Sequence, residues 1–85
     1  MRNLEFVPNA FAEYKQWISD DRKMALRIGD LLIDCLRDPF NGLGKPEPLK
    51  HQYKGYWSRR IDPEHRLIYK ATDDAIVVIS CKSHY

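Results

Sequence analysis

Apolar positions keep a helical spacing through the first half of this chain and a strand-like spacing through the second. Leu4-Glu5-Phe6-Val7 reads as a short first strand that Pro8 ends. Ala10, Tyr14, Trp17 and Ile18 then fall at i, i+4, i+7 and i+8, one face of a helix over about Asn9–Ser19. A second helix is expected over about Arg22–Arg37, capped by Asp20 or Asp21. Its apolar face is Met24, Ile28, Leu31, Leu32, Cys35 and Leu36, interrupted by Gly29 at a cost of about 1 kcal/mol relative to Ala. Asp38-Pro39 stops it, because a residue before proline avoids the helical region.

Phe40 to Pro48 is a loop with two glycines and two prolines. Beyond it, strands are expected at about Lys50–Tyr53, Tyr56–Ile61, Arg66–Ala71 and Ala75–Lys82. Gly55, the Asp62-Pro63-Glu64-His65 segment and Thr72-Asp73-Asp74 supply the turns. The order is strand, two helices, then a four-strand meander. It predicts a two-layer α+β domain spanning residues 1–85, with both helices on one face of a mainly antiparallel sheet. The opposite, concave face is left for binding.

Charge sharpens that picture. Residues 1–44 hold 6 Lys/Arg and 7 Asp/Glu, a net −1, whereas residues 45–85 hold 8 and 5, a net +3. The basic half also carries Tyr53, Tyr56, Trp57, Tyr69 and Tyr85, and cations mixed with aromatics suit a phosphate backbone with unstacked bases. No apolar run approaches the ~20 residues of a membrane span, and the N-terminus lacks the apolar core of a signal peptide. Cys35 and Cys81 lack metal-ligand spacing and read as two inert thiols of a reduced, cytoplasmic protein. No cofactor and no metal are expected.

The chemistry-bearing residues lie from position 45 onward. Cutting RNA without a metal needs a base for the 2′-hydroxyl, a cation for the phosphorane and an acid for the leaving 5′-oxygen. Glu47, the arginines Arg59, Arg60 and Arg66, and His84 can fill those roles in that order. Glu47 sits between Pro46 and Pro48, which fix the backbone on both sides, and Lys45 and Lys50 flank it with positive charge. On an alternating strand Arg59 goes with Trp57 and Ile61, and Arg60 with Tyr56 and Ser58. One arginine can pack its stem over the helices; alternatively Arg60 and Arg66 form a phosphate clamp, since the planar guanidinium binds phosphate oxygens bidentately. His51 and His65 read as surface or turn histidines. For His84 the last hairpin decides. A three-residue turn at Thr72–Asp74 puts Arg66, Ser80, Lys82 and His84 on one face, and a two-residue turn puts Arg66 and His84 on opposite faces.

Several ordered blocks resemble the Txe/YoeB toxin family of the RelE superfamily. They are Asp38-Pro39-Phe40-x-Gly42-x-Gly44-Lys45-Pro46-Glu47-Pro48-Leu49-Lys50-His51, Gly55-x-Trp57-Ser58-Arg59-Arg60-Ile61, Glu64-His65-Arg66-Leu67, Thr72-Asp73-Asp74 and His84-Tyr85. The resemblance spans essentially the whole chain and is densest from Asp38 onward. It implies a microbial-RNase-like, RelE-like fold and the toxin of a type II toxin–antitoxin module. Such a toxin cuts mRNA in the ribosomal A site without a metal. By this likeness Glu47 is the general base, His84 the general acid and Arg66 the main phosphorane stabiliser. Lys50 and Arg60 would bind phosphate, with Arg59 a further candidate contact, and Tyr85 would orient the scissile nucleotide. Glu64 matches an acidic position with a supporting role. Lys82-Ser83 before His84 departs from a basic residue followed by an aromatic one. Implied partners are a YefM-like antitoxin whose acidic segment covers the active face, the bacterial ribosome and its mRNA; a homodimer is also compatible.

Two other readings stay open. The same fold can serve as a non-catalytic RNA- or ribosome-binding module, which the joint presence of glutamate, arginine and histidine argues against. A DNA-binding regulator finds no helix-turn-helix signal here, and the basic residues cluster on expected strands.

Overall fold

A computed structural model describes residues 1–84. The chain runs β1 (Asn3–Phe6), α1 (Pro8–Asp20), α2 (Arg22–Arg37), β2 (Glu47–Pro48), a single 3-10 turn (His51–Tyr53), β3 (Trp57–Arg60), β4 (His65–Ala71) and β5 (Ala75–His84). The strands form one sheet in the order β1-β5-β4-β3-β2. The first strand runs parallel to β5, and the other neighbours are antiparallel. Two helices against a mostly antiparallel sheet is the α+β arrangement the pattern implied.

The helices form where local signals converge. Pro8 ends β1 and also opens α1, because its missing N–H costs nothing in a first helical turn. Asp21, rather than Asp20, caps α2 by accepting from the Met24 N–H at 3.4 Å. From α2, Met24, Ile28, Leu31, Leu32 and Cys35 are buried as expected, and Ala25 joins them. They meet Ala10 and Trp17 of α1 and Leu67, Tyr69, Ile76, Val78 and Cys81 of the sheet in one cluster. Ile18 departs from expectation and is 47% exposed. The face of α1 that meets β5 runs through Ala10, Glu13 and Trp17, and Ile18 lies about 100° further round the helix.

Two strand expectations need correction. Lys50–Tyr53 is not a strand. The β2–β3 ladder pairs Glu47 with Ser58 and Pro48 with Trp57, and the Leu49 N–H reaches Tyr56 O at 2.9 Å. The next residues must therefore turn. They do so through His51 at φ 59° and Gly55 at φ 99°. Glu47 accordingly lies on a sheet-edge strand rather than in a free loop, and Pro48 is tolerated there because Leu49 makes the inward bond and the proline nitrogen faces away from the sheet.

The second correction concerns the last hairpin. Thr72 N–H bonds Ala75 O at 2.8 Å, so the tight turn is two residues long, Asp73-Asp74. The register then slips twice: Ala71 faces Ile76, Ile68 faces Ser80, and Arg66 faces Ser83. Two extra residues thus enter β5, which changes the partners but restores the alternation, and Arg66 and His84 fall on opposite faces as the two-residue turn predicts. Helix α1 holds this irregular stretch. Glu13 Oε1 accepts from Cys81 N–H and Ser80 Oγ, both at 3.0 Å, and Trp17 Nε1 donates to Cys81 O at 2.8 Å. Bulged backbone groups left without a ladder partner are satisfied by these side chains.

Arg59 is fully buried on the helix side of the sheet, so it cannot contact phosphate. Its Nε donates to Tyr69 Oη at 3.1 Å, and Nη1 to Asp34 Oδ2 at 2.6 Å and Leu43 O at 3.2 Å. Its Nη2 donates to Asp38 O at 2.6 Å and Asn41 O at 3.3 Å. Tyr69 Oη in turn donates to Pro39 O at 2.6 Å. Hydrogen bonds from Arg37, the Leu43 N–H and Arg59 hold the Asp34 carboxyl well below the usual carboxylate range, and burial pushes the Tyr69 phenol up to about 12. The network pins the loop after α2 against β3. Gly44 completes the contact: Arg60 N–H bonds Gly44 O at 2.6 Å, and a Cβ at Gly44 would stand 2.9 Å from Arg60 O.

Arg59→Lys should lower the unfolding free energy by at least about 1–3 kcal/mol, the cost of one buried acceptor left unsatisfied. An ammonium cannot reproduce the planar fork. An unchanged urea midpoint would show that the network adds nothing.

Candidate active site

On the sheet face away from the helices lies a groove of about 510 Å³. Leu49, Tyr53 and Tyr56 from the β2–β3 hairpin, Ile68 from β4 and Ile79 from β5 give it an apolar lining. Arg66, Ser80, Ser83 and His84 supply its polar groups. Three of the four are there because of the pairing: Ser58 stands opposite Ile68, Ile68 opposite Ser80, and Arg66 opposite Ser83.

Arg66 joins the elements. Its Nη2 lies 2.9 Å from Glu47 Oε1, and its Nη1 donates to Ser58 Oγ at 3.0 Å. Glu47 faces Ser58 across the β2–β3 ladder, and Arg66 stands on the far side of β3, one pair along, so the two long side chains meet over Ser58 on one face. Glu47 is the exposed partner at 54% and Arg66 the covered one at 14%. The cation that holds Glu47 is therefore Arg66, where the sequence had pointed to Lys45 and Lys50.

Arg60 pairs with Arg66 across the β3–β4 ladder, so the two share a face as expected. Arg60 also lines a separate depression with Arg27, Lys45 and Asp62, and it is not among the residues lining the groove. Lys50 is exposed at the entrance to the 3-10 turn. Tyr85 lies outside the described residues.

His84 is the last residue of β5 and pairs with His65, not with Arg66. It alternates to the face of His65, whose ring meets Trp17, yet it also lines the groove from the end of β5. Lys82 does not: its Nζ sits 5.0 Å over the Trp17 ring on the helix side.

His65 is more than a turn histidine. Its ring lies 5.0 Å from Trp17 and 5.1 Å from His84, centroid to centroid. Asp62 Oδ1 accepts from the His65 backbone N–H at 2.7 Å and lies 3.0 Å from its Nδ1, and it accepts from the Glu64 N–H at 2.9 Å. Burial works against the charged form of Asp62, yet those hydrogen bonds prevail and its pKa is lowered. Glu64 is exposed beside this turn. The ligand atoms of Glu64, His65 and His84 fall within 4.8 Å of one another, a cluster that sequence spacing had not suggested.

Ser58, Asp62 and Glu13 are the residues that sequence reasoning passed over. Ser58 was legible through its alternation with Arg60 on the predicted strand. Asp62 was legible as the acceptor of an Asx turn. Glu13 gave no signal, since its role depends on β5, more than sixty residues away.

Comparison with known proteins places this architecture. Residues 6–85 match the model of a family described as "YoeB-like toxin of bacterial type II toxin-antitoxin system". The toxin YoeB of Mycobacterium bovis is 49% identical over 85 residues, covering 100% of both chains. The YoeB dimer of Staphylococcus aureus superposes with a TM-score of 0.93 at 46% identity, covering 99% of this chain and 98% of that one. YoeB in the YoeB–YefM complex of the same organism gives 0.90 at 44% identity, covering 100% and 99%. No helix among the described residues is long and apolar enough to cross a membrane. Fold and full-length likeness agree, and the chain belongs to the YoeB-like toxins of bacterial type II toxin–antitoxin systems.

Proposed function

We propose that this toxin is a ribosome-dependent endoribonuclease that cuts mRNA in the A site by metal-independent acid–base chemistry and so halts translation. The observation that carries the reading is that Arg66 and His84 line one groove while Glu47 is ion-paired to that same Arg66. Glu47 takes the proton of the ribose 2′-hydroxyl, and the freed oxygen attacks the adjacent phosphorus. Arg66 stabilises the charge that builds on the phosphorane oxygens. His84 gives its proton to the leaving 5′-oxygen, so the products are a 2′,3′-cyclic phosphate and a 5′-hydroxyl. In the free protein Arg66 holds Glu47. An arriving phosphate competes for the same guanidinium and releases the carboxylate for proton transfer. Lys50 and Arg60 contact neighbouring phosphates, Tyr85 orients the scissile nucleotide, and Glu64 supports the acid end.

The partners follow from the same face. A YefM-like antitoxin would lay an acidic segment over the cationic groove; the S. aureus YoeB–YefM complex supports that pairing, and the S. aureus YoeB dimer supports a homodimer.

The decisive experiment incubates the purified chain with ribosomes programmed with a defined mRNA and maps the cut ends. Cleavage in the A site is expected, far faster than on the same RNA free in solution. An open groove cannot hold a flexible RNA in line, and alignment is worth several kcal/mol. Equal rates on naked and ribosome-bound RNA would remove the ribosome from the mechanism. Binding without any cut would leave the non-catalytic module in its place.

A further inference from the structure

The acid end of the groove holds a second arrangement that proton transfer does not use. Glu64, His65 and His84 offer one carboxylate oxygen and two imidazole nitrogens within 4.8 Å of one another. Asp62 fixes the middle ligand. A carboxylate can only accept, so the Nδ1 that lies 3.0 Å from Asp62 Oδ1 carries the hydrogen, and in the neutral imidazole Nε2 is the nitrogen that keeps a lone pair. A carboxylate behind a histidine is the usual outer support of a metal-binding imidazole. Asp62 also binds the backbone N–H groups of Glu64 and His65, which holds the two neighbouring ligands in one rigid turn. Lys82, the nearby cation, is directed over Trp17.

We propose that Glu64, His65 and His84 form a binding site for a divalent transition metal of the zinc class. Two imidazoles and a carboxylate select such ions over magnesium or calcium, which prefer all-oxygen surroundings. Tetrahedral zinc needs ligands about 2.0–2.2 Å from the ion. The exposed Glu64 and His84 side chains close the gap by rotating toward the fixed His65. The fourth position stays open to water. The consequence rests on the proposed chemistry: a His84 bound to metal has no proton to deliver, so the ion acts as a reversible off-switch.

Zinc titration of the purified wild type by calorimetry is expected to give one site, with magnesium unable to compete. His84→Gln, His65→Gln and Glu64→Gln should each weaken it at least ~10-fold. Asp62→Asn, which keeps an oxygen for the backbone N–H groups, should cost roughly 10–100-fold. Circular dichroism confirms that each variant is folded. Cobalt(II) substitution should produce visible absorption in the wild type that the His65→Gln chain lacks. No zinc binding by folded wild type, or equal affinity in all three ligand variants, overturns the site. Cleavage is then measured separately, each chain against its own metal-free rate. Zinc should stop the wild type, a chelator should restore it, and His65→Gln should resist the same dose. Zinc bound at this site with cutting undisturbed would keep the metal site and remove His84 from the acid role.

Discussion

Glu47→Ala is expected to cut mRNA on programmed ribosomes at least ~10²-fold more slowly than the wild type, the usual scale for losing a general base. The fold should hardly notice. Glu47 is 54% exposed on a two-residue edge strand, and its pair with Arg66 is a surface pair worth at most about 1 kcal/mol. A companion Glu47→Gln change separates chemistry from positioning. The amide oxygen still accepts from Arg66, but it cannot take a proton at neutral pH. Both variants should therefore lose the single-turnover rate together, while only Glu47→Ala frees Arg66 to rearrange. A Glu47→Gln chain that cuts normally would place the base elsewhere, and the Glu47–Arg66 pair would be structural only.

That pair also shows what the sequence could and could not say. The second helix was legible almost residue by residue, because its apolar stripe, its Asp21 cap and its Asp38-Pro39 stop are all local. The face on which Arg59 lies was legible too. Strand alternation set it with Trp57 and Ile61, and that face proved to be the helix side, where Trp57 packs on the core and Ile61 is part of it. Its chemistry was not legible: Asp34, which it binds, lies twenty-five residues earlier and shares no local pattern with it. A basic residue among basic residues therefore looked like a phosphate contact, although its charge is spent on the loop after α2.

The hairpin was legible only in part, for a different reason. Turn chemistry at Thr72–Asp74 constrains only the first pairs, which do follow a two-residue turn. The two slips further along are held by Glu13 and Trp17 of the first helix, and no feature of β5 itself announces them. Without those slips the residues beside Arg66 would differ. The groove thus owes its polar end to a long-range contact between the first helix and the last strand. The Lys50–Tyr53 error has the same root, since a ladder ending at Leu49 is decided by pairing with β3 and not by the alternation of four residues.

The second large effect is expected at the other end of the groove. His84→Gln should lower the single-turnover cleavage rate by at least ~10², with a smaller loss of ribosome binding. Gln keeps polarity and approximate size but cannot deliver a proton at neutral pH. The structure says why folding should survive. His84 is exposed, its backbone pairing with His65 does not depend on the side chain, and the core contributions of β5 come from Ala75, Ile76, Val78 and Cys81. What the variant does lose is a ring 5.1 Å from His65, a contact at the rim rather than in the cluster. His65 stays anchored by Asp62 and by Trp17, so the β4 end should keep its shape. Rate and ribosome affinity are measured on the same preparation, beside a thermal melt. An unchanged rate would dismiss His84 as the acid. His65, whose ring lies 5.1 Å from that of His84, would then be the first group to test by the same substitution.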